Sequence, residues 1–154
     1  MNQAVCRCIP LLARFAEAKG EQIFEAQLTI LRSGTTESAL RGAAYACAGF
    51  IKGRGMRFLK ERDILGILQR ECFAGKKADP LRLQAGLQLY ETLALAQGKA
   101  FEPHTKEIVP NILACIADAR GPVRSCANAA NERIVKGYSN YAIKAVVPMY
   151  REGL

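Results

Sequence analysis

The residues best suited to bind a charged ligand are five cations that fall within eleven positions of the chain. They are Lys52, Arg54, Arg57, Lys60 and Arg62. Phosphate contacts from such a run would give salt-sensitive RNA binding that does not depend on base sequence. The alternative is a structural role, because cations near the carboxyl end of a helix interact favourably with the helix dipole and with the last carbonyl groups. A second pair, Lys76 and Lys77, follows the next helix, and we expect helix stacking to bring both groups to one edge.

Residues that could perform catalysis form no recognisable pattern. His104 is the only histidine, so every Cys-His or Ser-His mechanism would need it, and no motif surrounds it. The carboxylate pairs Glu17/Glu21 and Glu61/Asp63 are expected on solvated helix faces, where acid/base chemistry is not favoured. The stretch KGRGM lacks the GxxxxGK pattern of a phosphate-binding loop. We therefore predict a protein that is not an enzyme and that has no cofactor.

The cysteines predict buried thiols more than a metal site. The six are Cys6, Cys8, Cys47, Cys72, Cys115 and Cys126. Cys6 and Cys8 form a CxC pair with no second pair at zinc spacing, and a tetrahedral site would need two more ligands. Cys47 lies among alanines on a predicted helix, as a small apolar residue would. Free thiols of this kind are typical of the reducing cytosol, so we predict a cytoplasmic location.

Helical repeats must position these side chains, because apolar residues recur at the spacing of one helix face. In 108–135 a tight turn separates two such faces, formed before it by Ile108, Ile112 and Ile116, and after it by Val123, Ala127, Ala130 and Ile134. Neither helix could bury its face alone, so the pair needs neighbours. Leu40, Leu83 and Val123 open the second helix of three such pairs, at intervals of 43 and 40 residues. That interval is typical of HEAT or armadillo repeats.

The pattern predicts an all-α fold, an α-solenoid of stacked antiparallel helix pairs with about seven or eight helices. A proline recurs inside the first helix of a pair, at Pro110 and Pro148, where it would bend the helix axis. We expect residues 1–154 to form a single array segment. Because both ends would expose faces suited to stacking and no polar capping repeat is visible, we expect the segment to belong to a longer solenoid.

Charge and hydropathy bound the class of partner. Lys and Arg outnumber Asp and Glu by 22 to 14, which gives a formal charge of +8 and favours acidic partners. Arg7 and Pro10 interrupt the apolar start of the chain, which is a poor match to a secretory signal. The longest apolar run, 42–51, falls short of the roughly 18 residues that a membrane span requires. We predict no membrane partner.

Three stretches of the sequence resemble a known family. They are RGAAYACAGFIKG at 41–53, GKAFEPHTKEIVPNIL at 98–113, and VRSCANAANERIV followed by YAIKAVVP. They are similar to the central HEAT region of the general control translational activator, and YAIKAVVP also resembles the HEAT domain of fungal translation elongation factor three. The resemblance covers most of the chain from about Arg41 onward, and it departs at Arg54, where the family usually has an apolar residue.

The resemblance implies a non-catalytic scaffold that binds ribosomes and promotes activation of the kinase that phosphorylates initiation factor two alpha. It implies ribosomal RNA or ribosomal proteins as partners, and a protein kinase or its adaptor contacted through other parts of the full-length protein. On this interpretation the ribosome contacts are Lys52, Arg54, Arg57, Lys60, Arg62, Lys76 and Lys77. The alternative is a HEAT-type adaptor, such as a transport receptor or phosphatase scaffold, that binds proteins without ribosome contact.

Overall fold

The computed structural model describes residues 8–10, 13, 17–74 and 79–153. Eight α-helices have defined bounds in this part of the chain: α1 Glu17–Ser33, α2 Glu37–Arg54, α3 Met56–Glu61, α4 Ile64–Leu68, α5 Pro80–Gln97, α6 Thr105–Ile116, α7 Gly121–Gly137 and α8 Asn140–Glu152. A π-helical turn, Gln69–Phe73, extends α4, and a 3-10 segment, Gly98–His104, leads into α6. The described residues contain no strand, so the predicted all-α class is confirmed.

The helices alternate between two layers, as antiparallel pairs require. The second helices of the pairs, α2, α5 and α7, form one layer, in which α5 packs between the other two. Each of these helices is covered by an element of the other layer. Helix α1 packs on α2, the π turn after α4 packs on α5, and α6 packs on α7. Helix α8 packs on α6 and so takes the position of the first helix of a fourth pair. This is the stacked arrangement predicted from the repeat interval.

The core is a strip of apolar side chains that runs between the two layers. The predicted stripe of α7 is buried, with Val123, Ala127, Ala130 and Ile134 all exposed by 2% or less. In the corresponding stripes of α2 and α5, the predicted residue Ala94 is only half-buried. The other predicted members are buried: Leu40, Ala44, Cys47, Ile51, Leu83, Leu87 and Tyr90. Small residues such as Ala44 and Ala127 in the core allow the helix backbones to approach closely. The alignment of the three repeats on Leu40, Leu83 and Val123 therefore identifies the buried faces correctly.

The first helix of the second pair is broken, although the pattern predicts one helix from 56 to 73. The break falls after Glu61, and Asp63 adopts φ 45°, in the left-handed region that costs a non-glycine residue energy. Asp63 accepts a hydrogen bond from Arg70 Nη1 at 3.1 Å. A Cβ atom at Gly66 would lie 2.4 Å from both Asp63 carboxylate oxygens, so a larger residue there would make this exposed side chain shift. The same pattern predicts inward positions for Phe58, Ile64, Leu68 and Cys72, and all four are buried despite the break.

The turn between α6 and α7 is held by Asp118 and Arg120. Asp118 Oδ1 accepts hydrogen bonds from the backbone N–H and the Nε of Arg120, both at 2.8 Å, and Oδ2 accepts one from Nη2 at 2.7 Å. Arg124 donates to the carbonyl oxygens of Asp118 and Ala119 at 2.9 and 2.6 Å. The hydrogen bonds from Arg120 stabilise the ionised carboxylate and lower the pKa of Asp118 to about 2.

Asp118→Asn should reduce the acid sensitivity of the fold. Because folding depresses the pKa of Asp118 from 3.8 to about 2, its ionisation stabilises the fold above about pH 4, and this contribution is lost as the pH falls towards 2. Urea unfolding between pH 5 and pH 2 should therefore show a steeper loss of stability for the wild type than for the variant. Glu152→Gln, which removes an exposed carboxylate at the end of α8, is the control and should follow the wild-type profile. Parallel profiles of stability against pH for the wild type and Asp118→Asn would contradict the stabilising role assigned to the Asp118 carboxylate.

Candidate nucleic-acid interface

The run of five cations folds around the turn that joins α2 to α3. Lys52 and Arg54 lie in the last turn of α2, and Gly55 follows with φ +87°, a conformation that favours glycine. The remaining cations lie on α3 and in the break after it. The run thus occupies the edge of the array at which the second helices end. We call it the basic edge, made of Lys52, Arg54, Arg57, Lys60 and Arg62.

Two of these cations form ion pairs with α1, Arg54 from the end of α2 and Arg62 from the first helix of the second pair. Arg62 Nη2 lies 2.5 Å from Glu21 Oε2, and Arg54 Nη2 lies 3.7 Å from Glu21 Oε1. Both guanidinium groups also lie over the ring of Phe58, at 5.7 and 5.8 Å from its centroid, which is within range of a cation–π interaction. Arg54 and Arg62 therefore already have anionic and aromatic partners within the fold.

Phe58, the aromatic residue nearest the run in sequence, belongs to the core. Its ring centroid lies 5.1 Å from that of Phe24 and 5.5 Å from that of Phe50, and Phe58 is buried. The three rings form a cluster between α1, α2 and α3. Phe58 is therefore not available to stack on a nucleic-acid base.

The other three cations project into solvent. The Arg57 side chain is 89% exposed and pairs with Glu61 at 2.7 Å, a surface pair of small energy. Lys52 and Lys60 are exposed, and neither makes an ion pair with any residue that the structure describes. Burial lowers the pKa of His104 and Glu107 opposes this shift, whereas the charge of Lys60 lowers the pKa further. Because Lys60 acts on His104 in this way, the basic edge continues towards the 3-10 segment that contains this histidine.

Lys76 and Lys77 lie outside the described residues, whereas the residues that flank them can be placed. Asp79 precedes α5, and Arg82 in the first turn of α5 donates to the Leu31 carbonyl oxygen at 3.4 Å. Leu31 lies near the end of α1, so Asp79 lies at the edge where first helices end. The basic edge lies at the opposite end of the helices. The position of Asp79 therefore gives no support to the expectation that Lys76 and Lys77 share one edge with the run of five cations.

The structure adds residues to the basic edge that the sequence analysis missed. Lys99, Lys106 and Tyr141 line one groove of about 370 Å³ between the starts of α6 and α8. They lie in or just after the turns α5–α6 and α7–α8, which occupy the same edge as the turn α2–α3. The order of the predicted helices could have grouped these residues, because in stacked antiparallel pairs every second turn lies at the same edge.

The thiols do not assemble a metal site in the described part of the chain. No group of three or more His, Cys, Asp or Glu residues there could hold a metal ion. Burial raises the pKa of the Cys72 and Cys115 thiols to about 11 and raises that of Cys47 further. The prediction of buried thiols is right for these three, holds only in part for Cys126, which is half-buried, and is wrong for Cys8, which is exposed. Cys6 lies outside the described residues.

No helix among the described residues is long and apolar enough to cross a membrane.

Comparison with known proteins gives one family and several long relatives. The family described as the EF3 N-terminal HEAT repeat matches residues 40–154. The chain is 33% identical over 150 residues to the eIF-2-alpha kinase activator GCN1 of Saccharomyces cerevisiae. It is 29% identical over 149 residues to the stalled ribosome sensor GCN1 of Homo sapiens, and 29% identical over 154 residues to the protein ILITYHIA of Arabidopsis thaliana.

These alignments cover almost all of this chain and little of each relative. The covered share is 97%, 96% and 100% of this chain, and 6% of the relative in each case. The chain therefore spans about 6% of the length of the curated relatives that it matches. No solved structure matches it significantly.

Proposed function

This chain belongs to the EF3 N-terminal HEAT repeat family, and on that premise we propose that it is a ribosome-binding scaffold segment of a GCN1-type translational activator. The names of its relatives, an eIF-2-alpha kinase activator and a stalled ribosome sensor, support this proposal. The segment itself is non-catalytic, works in the cytoplasm and helps to promote kinase activation. Contacts with the kinase or its adaptor belong to other parts of the longer protein.

One observation carries the proposed ribosome contact, namely that Lys52, Arg57 and Lys60 project from a single edge of the array. Lys52 and Lys60 have no anionic partner among the described residues, and Arg57 has only an exposed surface pair. Such cations can exchange their counterions for RNA phosphates with little cost to the fold. Binding of this kind does not depend on base sequence, which suits a scaffold on the ribosome surface.

We also propose that the segment continues into a longer array. Val135 on α7 and Ile143 and Val147 on α8 are large apolar residues that remain exposed. Together with Val146 and Tyr150 they line a groove of about 240 Å³. An amphipathic helix in this groove would complete a fourth pair, as α7 does for α6.

A polar groove across the second helices favours the adaptor alternative. Arg41 on α2, Gln88 on α5 and Ser125 on α7 line a groove of about 350 Å³. An extended peptide that crosses the three helices could form hydrogen bonds with the polar side chains that line this groove. Stacked repeats provide extended surfaces for such partners.

Charge reversal of Lys52 and Lys60 to Glu should weaken ribosome binding. If both lysines bind phosphates, the slope of log affinity against log salt should fall by about 0.7–0.9 for each phosphate that is no longer neutralised. Sedimentation with purified ribosomes at several salt concentrations measures both quantities. Arg54 is unsuitable for this test, because a glutamate there would face Glu21 and destabilise the fold.

Arg151→Glu is the control for each of the single variants Lys52→Glu and Lys60→Glu, since it makes the same change in net charge at the end of α8, away from the basic edge. This control should retain most of the affinity. A wild-type chain that does not sediment with ribosomes would overturn the proposal, and so would a loss in Arg151→Glu equal to that in either lysine variant.

A further inference from the structure

A groove of about 370 Å³ opens at the basic edge between the starts of α6 and α8. Thr105 and Lys106 in the first turn of α6 form one wall, and Tyr141 and Ala142 in the first turn of α8 form the other. Lys99, from the 3-10 segment, completes the lysine pair. This volume is at the small end of the range for ligand pockets and fits one nucleotide of an extended strand.

The charges that line the groove favour an anion. Neither Lys99 nor Lys106 makes an ion pair with a residue that the structure describes. Helices α6 and α8 both begin at the groove, so their amino-terminal dipole charges add to those of the lysines. A phosphate between the lysines would thus meet a concentration of positive charge.

Glu102 is the carboxylate that lines the groove, and its oxygen atoms already have donors. The Ser139 N–H donates to Oε1 at 2.8 Å, and the Ser139 hydroxyl donates to Oε2 at 2.7 Å. These bonds lower the pKa of Glu102, so the group stays ionised. It ties the start of α8 to the 3-10 segment and so fixes the width of the groove. With two lysines against one carboxylate, the lining keeps a surplus of positive charge.

Tyr141 distinguishes nucleic acid from other anions. Its side chain is 84% exposed, the largest exposed fraction among the large hydrophobic residues that the structure describes. An exposed aromatic ring beside lysines suits single-stranded nucleic acid, because the base stacks while the phosphates pair with the cations. An acidic protein segment would use the lysines alone.

We propose that the groove binds single-stranded RNA, with Lys99 and Lys106 on the phosphate backbone and Tyr141 stacked on a base. This inference rests on the proposed function and adds a second RNA contact to the basic edge. The groove provides base stacking, which the Lys52–Lys60 region cannot, because Phe58 is buried there.

Tyrosine fluorescence tests the stacking directly, because the chain has five tyrosines and no tryptophan. Titration with a uridine dodecamer should quench part of the wild-type emission. Tyr141→Ala should weaken binding about fivefold or more and abolish that quenching, without changing the salt slope. Tyr141→Phe should keep most of the affinity while losing the quenching, since the phenylalanine ring still stacks.

The lysines should show the opposite signature. Lys99→Ala and Lys106→Ala should each weaken dodecamer binding and reduce the salt slope by about 0.7, the value for single strands. Arg151→Ala, near the far end of α8, is the control and should change neither quantity. Circular dichroism melting curves establish that each variant is folded.

Two results would overturn the groove assignment. One is a dodecamer affinity that is unchanged in Tyr141→Ala, and the other is competition by a poly-glutamate peptide as strong as that by the dodecamer, which would identify an acidic protein as the ligand. If either occurs while Lys52→Glu/Lys60→Glu still loses ribosome binding, the proposed function stands without this site. Failure of the wild type to bind ribosomes would instead remove the proposed function itself.

Discussion

Ala127→Asp should unfold the chain or lower its free energy of unfolding by roughly 3 kcal/mol or more. Ala127 is fully buried on α7, which packs against both α5 and α6. A carboxylate there would lose its water without gaining a cation, and the added atoms would force the helices apart. Because a domain of this size is stable by only about 5–15 kcal/mol in total, the loss should be visible in a thermal melt.

Ala129→Asp is a matched control for this prediction. It introduces the same side chain into the same helix, two residues later, at an exposed position. Its melting midpoint should stay close to that of the wild type, because a solvated carboxylate costs little. Similar midpoints for the two variants would show that the buried face of α7 is assigned wrongly.

Phe24→Ala should lower the free energy of unfolding by about 3–5 kcal/mol, the usual range for removing a buried phenylalanine. Phe24 is buried, and its ring centroid lies 5.1 Å from those of both Phe50 and Phe58. The variant would leave a cavity between α1, α2 and α3. It would also remove support from Phe58, whose ring faces the guanidinium groups of Arg54 and Arg62. Urea denaturation measures the loss.

Ile23→Ala is the control for the aromatic cluster. Ile23 precedes Phe24 in the same helix but is 53% exposed, so its truncation should cost well under 1 kcal/mol. The apolar pattern of 20–32 predicts inward positions for both Ile23 and Phe24, and the structure separates the two residues by face. A loss for Ile23→Ala equal to that for Phe24→Ala would contradict the described packing of α1.

The fold also changes how the basic edge should be tested. A charge reversal at Arg54 and Arg57, which the sequence alone suggests, would combine a structural cation with an exposed one. Arg54 lies 3.7 Å from Glu21, whereas the Arg57 side chain is 89% exposed. Loss of binding in that double variant could therefore reflect a loosened α1. Lys52 and Lys60 avoid this ambiguity, because neither pairs with a described carboxylate.

The helical class, the repeat interval and the buried stripes could all be predicted from the amino-acid sequence. Helix periodicity is a local property, so Val123, Ala127 and Ala130 identify one face without reference to the rest of the chain. The repeat interval then placed Leu40 and Leu83 in equivalent positions, and all of these residues are buried. The break at Asp63 escaped prediction because neither its left-handed conformation nor its ion pair with Arg70, seven residues later, follows from the apolar pattern.

Which cations are available to a ligand depends on the tertiary structure. Arg62 and Glu21 are 41 residues apart, so no local pattern could reveal that they pair. The same holds for Tyr141, which meets Lys99 and Lys106 only because antiparallel stacking returns every second turn to the same edge. Charge composition is a property of the whole chain, whereas the exposure of each charge depends on which helix packs beside it. That packing leaves Lys52 and Lys60 in solvent and commits Arg54 and Arg62 to the fold.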